Sequence, residues 1–327
     1  MGKGNKNTKE FNAKLLLFGE YSIICNSMGL SVPYAAYKGK LSFSEEATEF
    51  VGNSNKSLKA FYNYLSDLYK DSLFNASFDF ESFSHDLNKG LYFESNIPQG
   101  FGVGSSGALV AAIYDRYALN KISRTGRTSK KNMQKLKDVF SQMESFFHGR
   151  SSGIDPLNCY LKKPLLIKNI KDINKIGLPI GSGQEKGGMF LIDTGQIGHT
   201  EPLVKYFLEQ CENNDFYKSL QQEMIPANDN CIKSYVKGEM YEFYTNIKKL
   251  SKYLLHNFGP MIPEPFIEIW KKGLESSAYY LKLCGSGGGG YLLGFAQDLE
   301  YAKIELEKLQ VKIIPVPVET EEAQKKK

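Results

Sequence analysis

The segment Pro98-Gln99-Gly100-Phe101-Gly102-Val103-Gly104-Ser105-Ser106-Gly107-Ala108 sets a glycine at every second position, then two serines, then an apolar run. Glycine lets a backbone approach an anion closely. The N–H groups of a helix's first turn, backed by the helix dipole, attract negative charge. A strand, a glycine-rich loop and a helix start in this order can therefore cradle phosphates. Ser105 and Ser106 fall where the N-cap and first turn are expected, and either cap the helix or hold a cation beside the phosphates. The bland alternative is a glycine-rich turn closed by a serine cap. No Lys follows the last glycine, so this is not a Walker A loop, and the spacing is not a clean GxGxxG fingerprint.

Three other places carry chemistry. Glu144 lies on the apolar face of a helix whose stripe is Met133, Leu136, Val139, Phe140, Met143 and Phe147. A carboxylate there needs donors or a cation, a magnesium ion on phosphates being one candidate, unless it reaches solvent at the stripe's edge. Asp155, in HGRSSGIDP, sits just past two glycines and before Pro156; it is either an Asx turn or an exposed acid at a chain reversal. Lys14 opens an apolar strand, where it snorkels or supplies a cation to a developing alkoxide. A second loop, Gly285-Ser286-Gly287-Gly288-Gly289-Gly290, spends conformational entropy at every glycine. It is a flexible hairpin or a loop that must pack against a ligand or the first loop.

These residues need elements to hold them. Residues 14–18 read as a buried strand, with further short strands at 29–35 and 41–45 and a helix over 58–68. A strand at 90–97 runs into the glycine-rich loop, and helices follow at 105–119 and 133–147. The composition break at 180–188 (GSGQEKGG) marks the expected domain joint, dividing a domain of 1–180 from one of 181–327. In the second, a strand at 189–193 precedes helices near 201–212, 216–224, 238–257 and 264–276. Strands at 280–284 and 291–295, a helix near 298–309 and a strand at 311–318 complete it. Mixed helices and strands without an internal repeat give an α+β or α/β class.

Bulk composition excludes several functions. The chain has 327 residues, 42% of them apolar, and a formal net charge of +5. That apolar fraction supplies an ample core, and the small charge gives no case for a nucleic-acid partner. Five cysteines, far apart, without a CxxC pair, define neither a disulfide framework nor a zinc site. No apolar run reaches the ~18 residues of a membrane span, and the polar first residues lack a secretory h-region. No membrane association and a cytoplasmic location are therefore expected.

Taken together, the motifs resemble those of the GHMP kinases, the superfamily of galactokinase, homoserine kinase, mevalonate kinase and phosphomevalonate kinase. KLLLFGEYSII is similar to the N-terminal strand motif, PQGFGVGSSGA to the phosphate loop PxxxGLGSSAA, and KLCGSGGGG to the C-terminal KLTGAGGGG. Together they span Lys14 to Gly290. Within the superfamily the chain is most like the mevalonate kinase branch, with Lys14 and Glu20 at matching positions and Glu144 followed at the same interval by HGRSSGID, ending at Asp155. The resemblance implies a ribosomal S5-like N-terminal domain and a ferredoxin-like C-terminal domain.

It also implies roles. ATP is the phosphoryl donor, with Pro98, Gly100, Gly102, Gly104, Ser105, Ser106 and Gly107 around its phosphates. Mg²⁺ is held by Ser106 and Glu144. Asp155 takes the proton of the substrate hydroxyl, and Lys14 eases the alkoxide. Glu20, Tyr21, Thr200, Gly285, Ser286 and Gly287 border a small-molecule substrate, and Asp193-Thr194-Gly195 is similar to the family's DTG segment. The reaction implied is mevalonate to 5-phosphomevalonate, in isoprenoid precursor synthesis. Phosphomevalonate kinase, then diphosphomevalonate decarboxylase, or a GHMP fold that binds nucleotide without turnover, are the alternatives. Homodimers are common in the branch. The departures are Tyr21 where the branch has His, Ser151 where it has Pro, and Cys284 and Ser286 where it has Thr and Ala.

Overall fold

A computed structural model describes residues 9–46, 48–126, 128–179, 186–198 and 200–317. In chain order the elements are β1 (Phe11–Phe18), β2 (Gly29–Phe43), α1 (Glu49–Lys70), α2 (Phe80–Asn88), β3 (Leu91–Ser95), α3 (Ser105–Tyr117), α4 (Lys130–His148) and α5 (Ile154–Leu161). There follow β4 (Leu165–Asn169), β5 (Asp172–Lys175), β6 (Gly188–Asp193), α6 (Thr200–Cys211), α7 (Asn214–Ser219), α8 (Ile225–Lys237), α9 (Met240–Asn257) and α10 (Glu264–Ser276). The last are β7 (Tyr280–Leu283), β8 (Tyr291–Ala296), α11 (Leu299–Glu307) and β9 (Ile313–Val316). The pairings of β2 with β3 and β4, β4 with β5, β6 with β8 and β9, and β7 with β8 are all antiparallel, which makes the fold α+β. Among the described residues no helix is long and apolar enough to cross a membrane.

The chain divides into two compact units that are not consecutive halves. One comprises residues 1–14, 33–98 and 104–163; the other comprises 15–32, 99–103 and 164–327. The joint expected at 180–188 falls largely on residues 180–185, which lie outside the described residues.

In the first unit, the C-terminal part of β2 pairs with β3 from Gly39 opposite Ser95 to Phe43 opposite Leu91. Helix α4 starts under a Ser129 cap and buries Met133, Leu136, Val139, Phe140 and Met143 on one face, as the 3.6-residue period requires. Its stripe meets α3 and α5 through the rings of Tyr114, Phe140 and Tyr160, whose centroids lie 5.0–5.6 Å apart. Edge-on aromatic packing of this kind holds three helices in fixed register.

In the second unit a four-stranded sheet has the order β7-β8-β6-β9. All residues of β7 and β8 are buried, Lys282 of β7 among them. Gly294 is required on β8 because a Cβ there would lie 2.2 Å from the Phe190 ring. The N-terminal end of β2 pairs with β4 through Gly29–Ser31. Two expectations need correction. The strands read at 29–35 and 41–45 are one fifteen-residue strand, which changes partner between its ends and has no break at 36–40. Residues 225–237, given no element in the sequence reading, form α8, because Pro226 sits in the first turn, where its missing N–H costs nothing.

Candidate active site

Strand β3 leads to the glycine-rich segment, whose residues are shared between the units: Pro98 and Gly104–Gly107 lie in the first, Gly100 and Gly102 in the second. Gly104 is the N-cap of α3, in left-handed backbone with φ 81°, and no side chain caps the helix. The capping role open to Ser105 and Ser106 is therefore not taken. The first-turn N–H groups of α3 have no side-chain acceptor, which is the condition for binding an anion there. Gly104 is also needed for a close approach: a Cβ would lie 2.8 Å from Lys14 Cγ and 3.0 Å from Cε. The absent side chain lets the lysine run past the helix start.

Lys14 Nζ reaches Asp155 Oδ2 at 2.8 Å, with the lysine side chain 4% exposed and the aspartate 34%. Asp155 is not in an Asx turn. It stands in the first turn of α5, which starts from left-handed Gly153. A Cβ on Gly153 would meet Lys137 O at 2.2 Å, so α5 can begin this close to α4 only with glycine there. Gly107 makes the matching approach from α3, where a Cβ would lie 3.0 Å from the Asp155 carbonyl carbon. The two glycines bring the serine turn and the acid to one place.

Glu144 is buried, and donors meet it. Ser106 Oγ donates to its Oε1 at 3.1 Å, and the Ser151 hydroxyl donates to Oε2. Ser106 Oγ also lies 3.1 Å from His148 Nε2. Burial, and after it the negative charge of Asp155, push the Glu144 carboxyl above the ordinary carboxylate range, against the two serines and Lys14. Burial pushes His148 down, so it is neutral at pH 7. A buried carboxyl raised in this way would be relieved by a cation beside it. Ser106 and Glu144 supply two hard oxygen donors, a set that suits Mg²⁺ when phosphates and water complete the octahedron. Among the described residues no group of three or more His, Cys, Asp and Glu could hold a metal alone.

The second unit contains the other expected residues. Gly285–Gly290 winds against the backbone at 100–102. A Cβ on Gly102 would lie 2.5 Å from Cys284 O, and one on Gly290 would lie 2.5 Å from Phe101 Cα. The loop is pinned by backbone bonds: Gly288 N to Met261 O and Gly290 N to Gln196 O, both 2.6 Å. Buried Thr194 of the DTG segment donates to Gly290 O at 2.7 Å. Ser286 Oγ donates to Thr200 Oγ1 at 3.1 Å. The packing reading of this loop thus describes its geometry, and the flexible-hairpin reading does not. Gly285 and Gly287 both adopt left-handed backbone, with φ 70° and 75°.

Glu20 and Tyr21 are committed within this unit. Glu20 Oε1 and Lys282 Nζ are 2.5 Å apart, with side chains 6% and 2% exposed, and Lys282 also donates to Leu283 O. Tyr21 has φ 62°, donates its hydroxyl to Ser286 O at 2.6 Å, and lays its ring on Phe207 and Phe258 with centroids 4.9 and 5.6 Å away. Burial, with Glu20 second, pushes its phenol well up, so the hydroxyl remains a donor.

Sequence reasoning passed over three residues. Lys282 carried a signal, a lysine inside the apolar run YLKL. Ser151 stands out in the sequence only as a departure from Pro, and His148 only as the first residue of HGRSSGIDP. Nothing local to either shows that it lies beside Glu144 and Ser106.

Residues 60–163 match the family model described as the GHMP kinases N terminal domain. No curated protein sequence matches the chain. Among solved structures, an L. major mevalonate kinase in complex with R-mevalonate is similar at TM-score 0.63 and 13% identity, covering 98% of this chain and 100% of that one. A Streptococcus pneumoniae phosphomevalonate kinase in complex with phosphomevalonate and AMPPNP is similar at 0.63 and 13%, over 94% and 99%. A Lactococcus lactis galactokinase complexed with galactose is similar at 0.62 and 12%, over 96% and 94%. Scores this close across three acceptors speak for the fold and not for the substrate. Residues 60–163 are thus similar to the N-terminal domain of the GHMP kinases, and the chain shares its fold with small-molecule kinases of different acceptors.

Proposed function

We propose that the chain transfers the γ-phosphoryl group of Mg-ATP to the hydroxyl of a small alcohol, mevalonate in the first instance. The observation that carries this reading is the Lys14–Asp155 pair in the same unit as the Ser106–Glu144 pair. A protein that only bound nucleotide would have no use for an acid–lysine couple a third exposed on its acid side. Phosphoryl transfer asks for positioning, charge neutralisation and an oriented nucleophile, with little covalent work by the protein.

The residues divide that work. The uncapped first turn of α3, with Ser105, Ser106 and Gly107, receives the phosphates, and Pro98, Gly100 and Gly102 shape the loop before it. Mg²⁺, when bound, neutralises charge developing on the phosphates; Ser106 and Glu144 would hold it. Asp155 Oδ accepts the hydroxyl proton of the acceptor, or orients that hydroxyl by its charge. Lys14 Nζ sits 2.8 Å from the same carboxylate and stabilises the alkoxide as the proton leaves. Neutral His148 keeps the Ser106 hydroxyl oriented.

A second reading has a specific observation behind it. The hydroxyl of Tyr21 is spent on a backbone carbonyl, so the position where the mevalonate branch has His does not offer a polar group to a substrate. That favours an acceptor recognised elsewhere, such as phosphomevalonate. The separating experiment is ADP release from Mg-ATP with mevalonate, phosphomevalonate, diphosphomevalonate, galactose and homoserine. Turnover with mevalonate alone supports the first reading, and turnover with phosphomevalonate alone supports the second. ADP release with none of the five, despite ATP binding, removes both.

A further inference from the structure

The connection between α4 and α5 is clipped to α4 at two points through one residue. The Ser141 hydroxyl donates to the carbonyl oxygen of Ser151 at 2.5 Å, and the Ser151 hydroxyl donates to Glu144 Oε2. Ser141 and Glu144 stand three residues apart on one face of α4, so they can hold the backbone and the side chain of the same residue. The Ser151 hydroxyl oxygen also accepts from Gly153 N at 3.0 Å. Gly153 is the N-cap of α5, whose first turn holds Asp155. One hydroxyl therefore joins the carboxylate on the metal side to the start of the helix on the acid side. A serine that served the turn alone would need only the bond from Gly153 N. Proline, which the mevalonate kinase branch has at this position, can make neither side-chain bond.

The two oxygens of Glu144 are not equivalent. Oε1 lies 3.1 Å from Ser106 Oγ, the other oxygen donor of the candidate Mg²⁺ site, whereas Oε2 is engaged by Ser151. When Ser106 serves a cation, its lone pairs are spent there and its proton no longer points at Oε1. Of the two hydroxyls that donate to Glu144, only that of Ser151 then still does so. We propose that Ser151 is a positioning residue for metal selection, holding Oε2 so that Glu144 meets the cation through Oε1. The inference rests on the Mg-ATP reading of this site. Ligation through one carboxylate oxygen suits Mg²⁺, which is small and demands near-ideal octahedral geometry, while the larger Ca²⁺ takes carboxylates through one oxygen or two. The serine hydroxyl thus biases the site toward Mg²⁺, and the same hydroxyl ties that choice to the start of α5.

The test measures AMPPNP binding to the full chain by calorimetry across a series of free Mg²⁺ concentrations and, separately, of free Ca²⁺. The midpoint of each series reads that cation's apparent affinity. In Ser151→Ala the Mg²⁺ midpoint is expected to rise at least about 10-fold, since losing a hydrogen bond to a metal-ligating group costs about 10–100-fold in metal affinity. The Ca²⁺ midpoint moves less, so the preference for Mg²⁺ narrows. Ser151→Thr keeps the hydroxyl and restores both midpoints. Ser151→Pro lacks it, reproduces the alanine result, and stands in for the alanine variant should that one fail to fold. Equal shifts for the two cations would overturn the proposal, because they are the mark of a loosened loop. So would an unmoved Mg²⁺ midpoint in both hydroxyl-free variants. Either outcome leaves the proposed function standing. AMPPNP binding that ignores both cations in the unaltered protein would remove the inference and the reading beneath it together.

Discussion

Each unit contains a close lysine–carboxylate pair whose lysine is buried, and the two are opposites. Lys14 and Asp155 are 2.8 Å apart, with the acid 34% exposed. Glu20 and Lys282 are 2.5 Å apart, with both side chains under a tenth exposed. The first pair leaves carboxylate oxygen open to an incoming hydroxyl. The second is closed: its ammonium is shared between Glu20 and the Leu283 carbonyl at the end of β7. Exposure of one partner separates a pair that can do chemistry from one that fixes a strand end. Replacing a member should therefore cost activity in the first unit and stability in the second.

The largest expected effect breaks the first pair. Asp155→Asn keeps the shape of the α5 start but can neither accept a proton nor balance Lys14. Phosphoryl transfer should fall by about 10²–10⁴-fold, while nucleotide affinity and melting temperature stay near those of the unaltered protein. Unchanged turnover would take Asp155 out of the mechanism. Next comes Lys282→Met, which leaves Glu20 charged and buried. Removing one partner of a buried pair costs about 3–5 kcal/mol, read as a lower urea midpoint at pH 7. A Glu20→Gln/Lys282→Met double variant should recover part of that loss. If the single variant melts like the unaltered protein, the second pair is not structural and the contrast collapses.

The contrast also explains what was legible. The first site is made of side chains whose types and intervals announce their chemistry: Lys14, Ser106, Glu144 and Asp155 could all be named from spacing and resemblance. Its supporting cast could not, because Ser151 and His148 reach Glu144 and Ser106 only through the packing of α3, α4 and α5. Helix α5 was hidden behind Pro156, which reads as a turn but sits in a first turn that tolerates it. The second region is made of backbone. Six loop residues with five glycines announce a close approach but not what is approached, and only the fold gives the answer, the chain at 100–102. The partner of Glu20 was not legible either, because it lies in a strand more than 250 residues later.

A subtler test lies within the first site. Glu144 is raised above its ordinary value, so the folded chain keeps this proton to a higher pH than the unfolded chain does. Its contribution is at its most favourable below the ordinary carboxyl range and is lost as pH rises through the folded value. Glu144→Gln, which has no such titration, should gain on the unaltered protein between pH 5 and pH 8 in the absence of nucleotide. The gain is about 1.4 kcal/mol for each unit by which the folded value is raised. Urea midpoints that stay parallel across this range would mean that the carboxyl is relieved by a group other than Ser106, Ser151 and Lys14.

The smallest effect tests the edge of the second region. Tyr21→Phe keeps the ring on Phe207 and Phe258 and removes only the hydroxyl that Ser286 O accepts. Losing one such bond costs about 0.5–1.5 kcal/mol. If the bond serves the loop, amide exchange at Gly285–Gly290 should quicken in the variant while that of β7 and β8 does not change. Equal quickening across the whole second unit would show that Tyr21 supports the core in general. Unchanged exchange everywhere would leave the left-handed backbone at Tyr21 and its two ring contacts as the whole of its role, and the loop would then owe its shape to Met261, Gln196 and Thr194 alone.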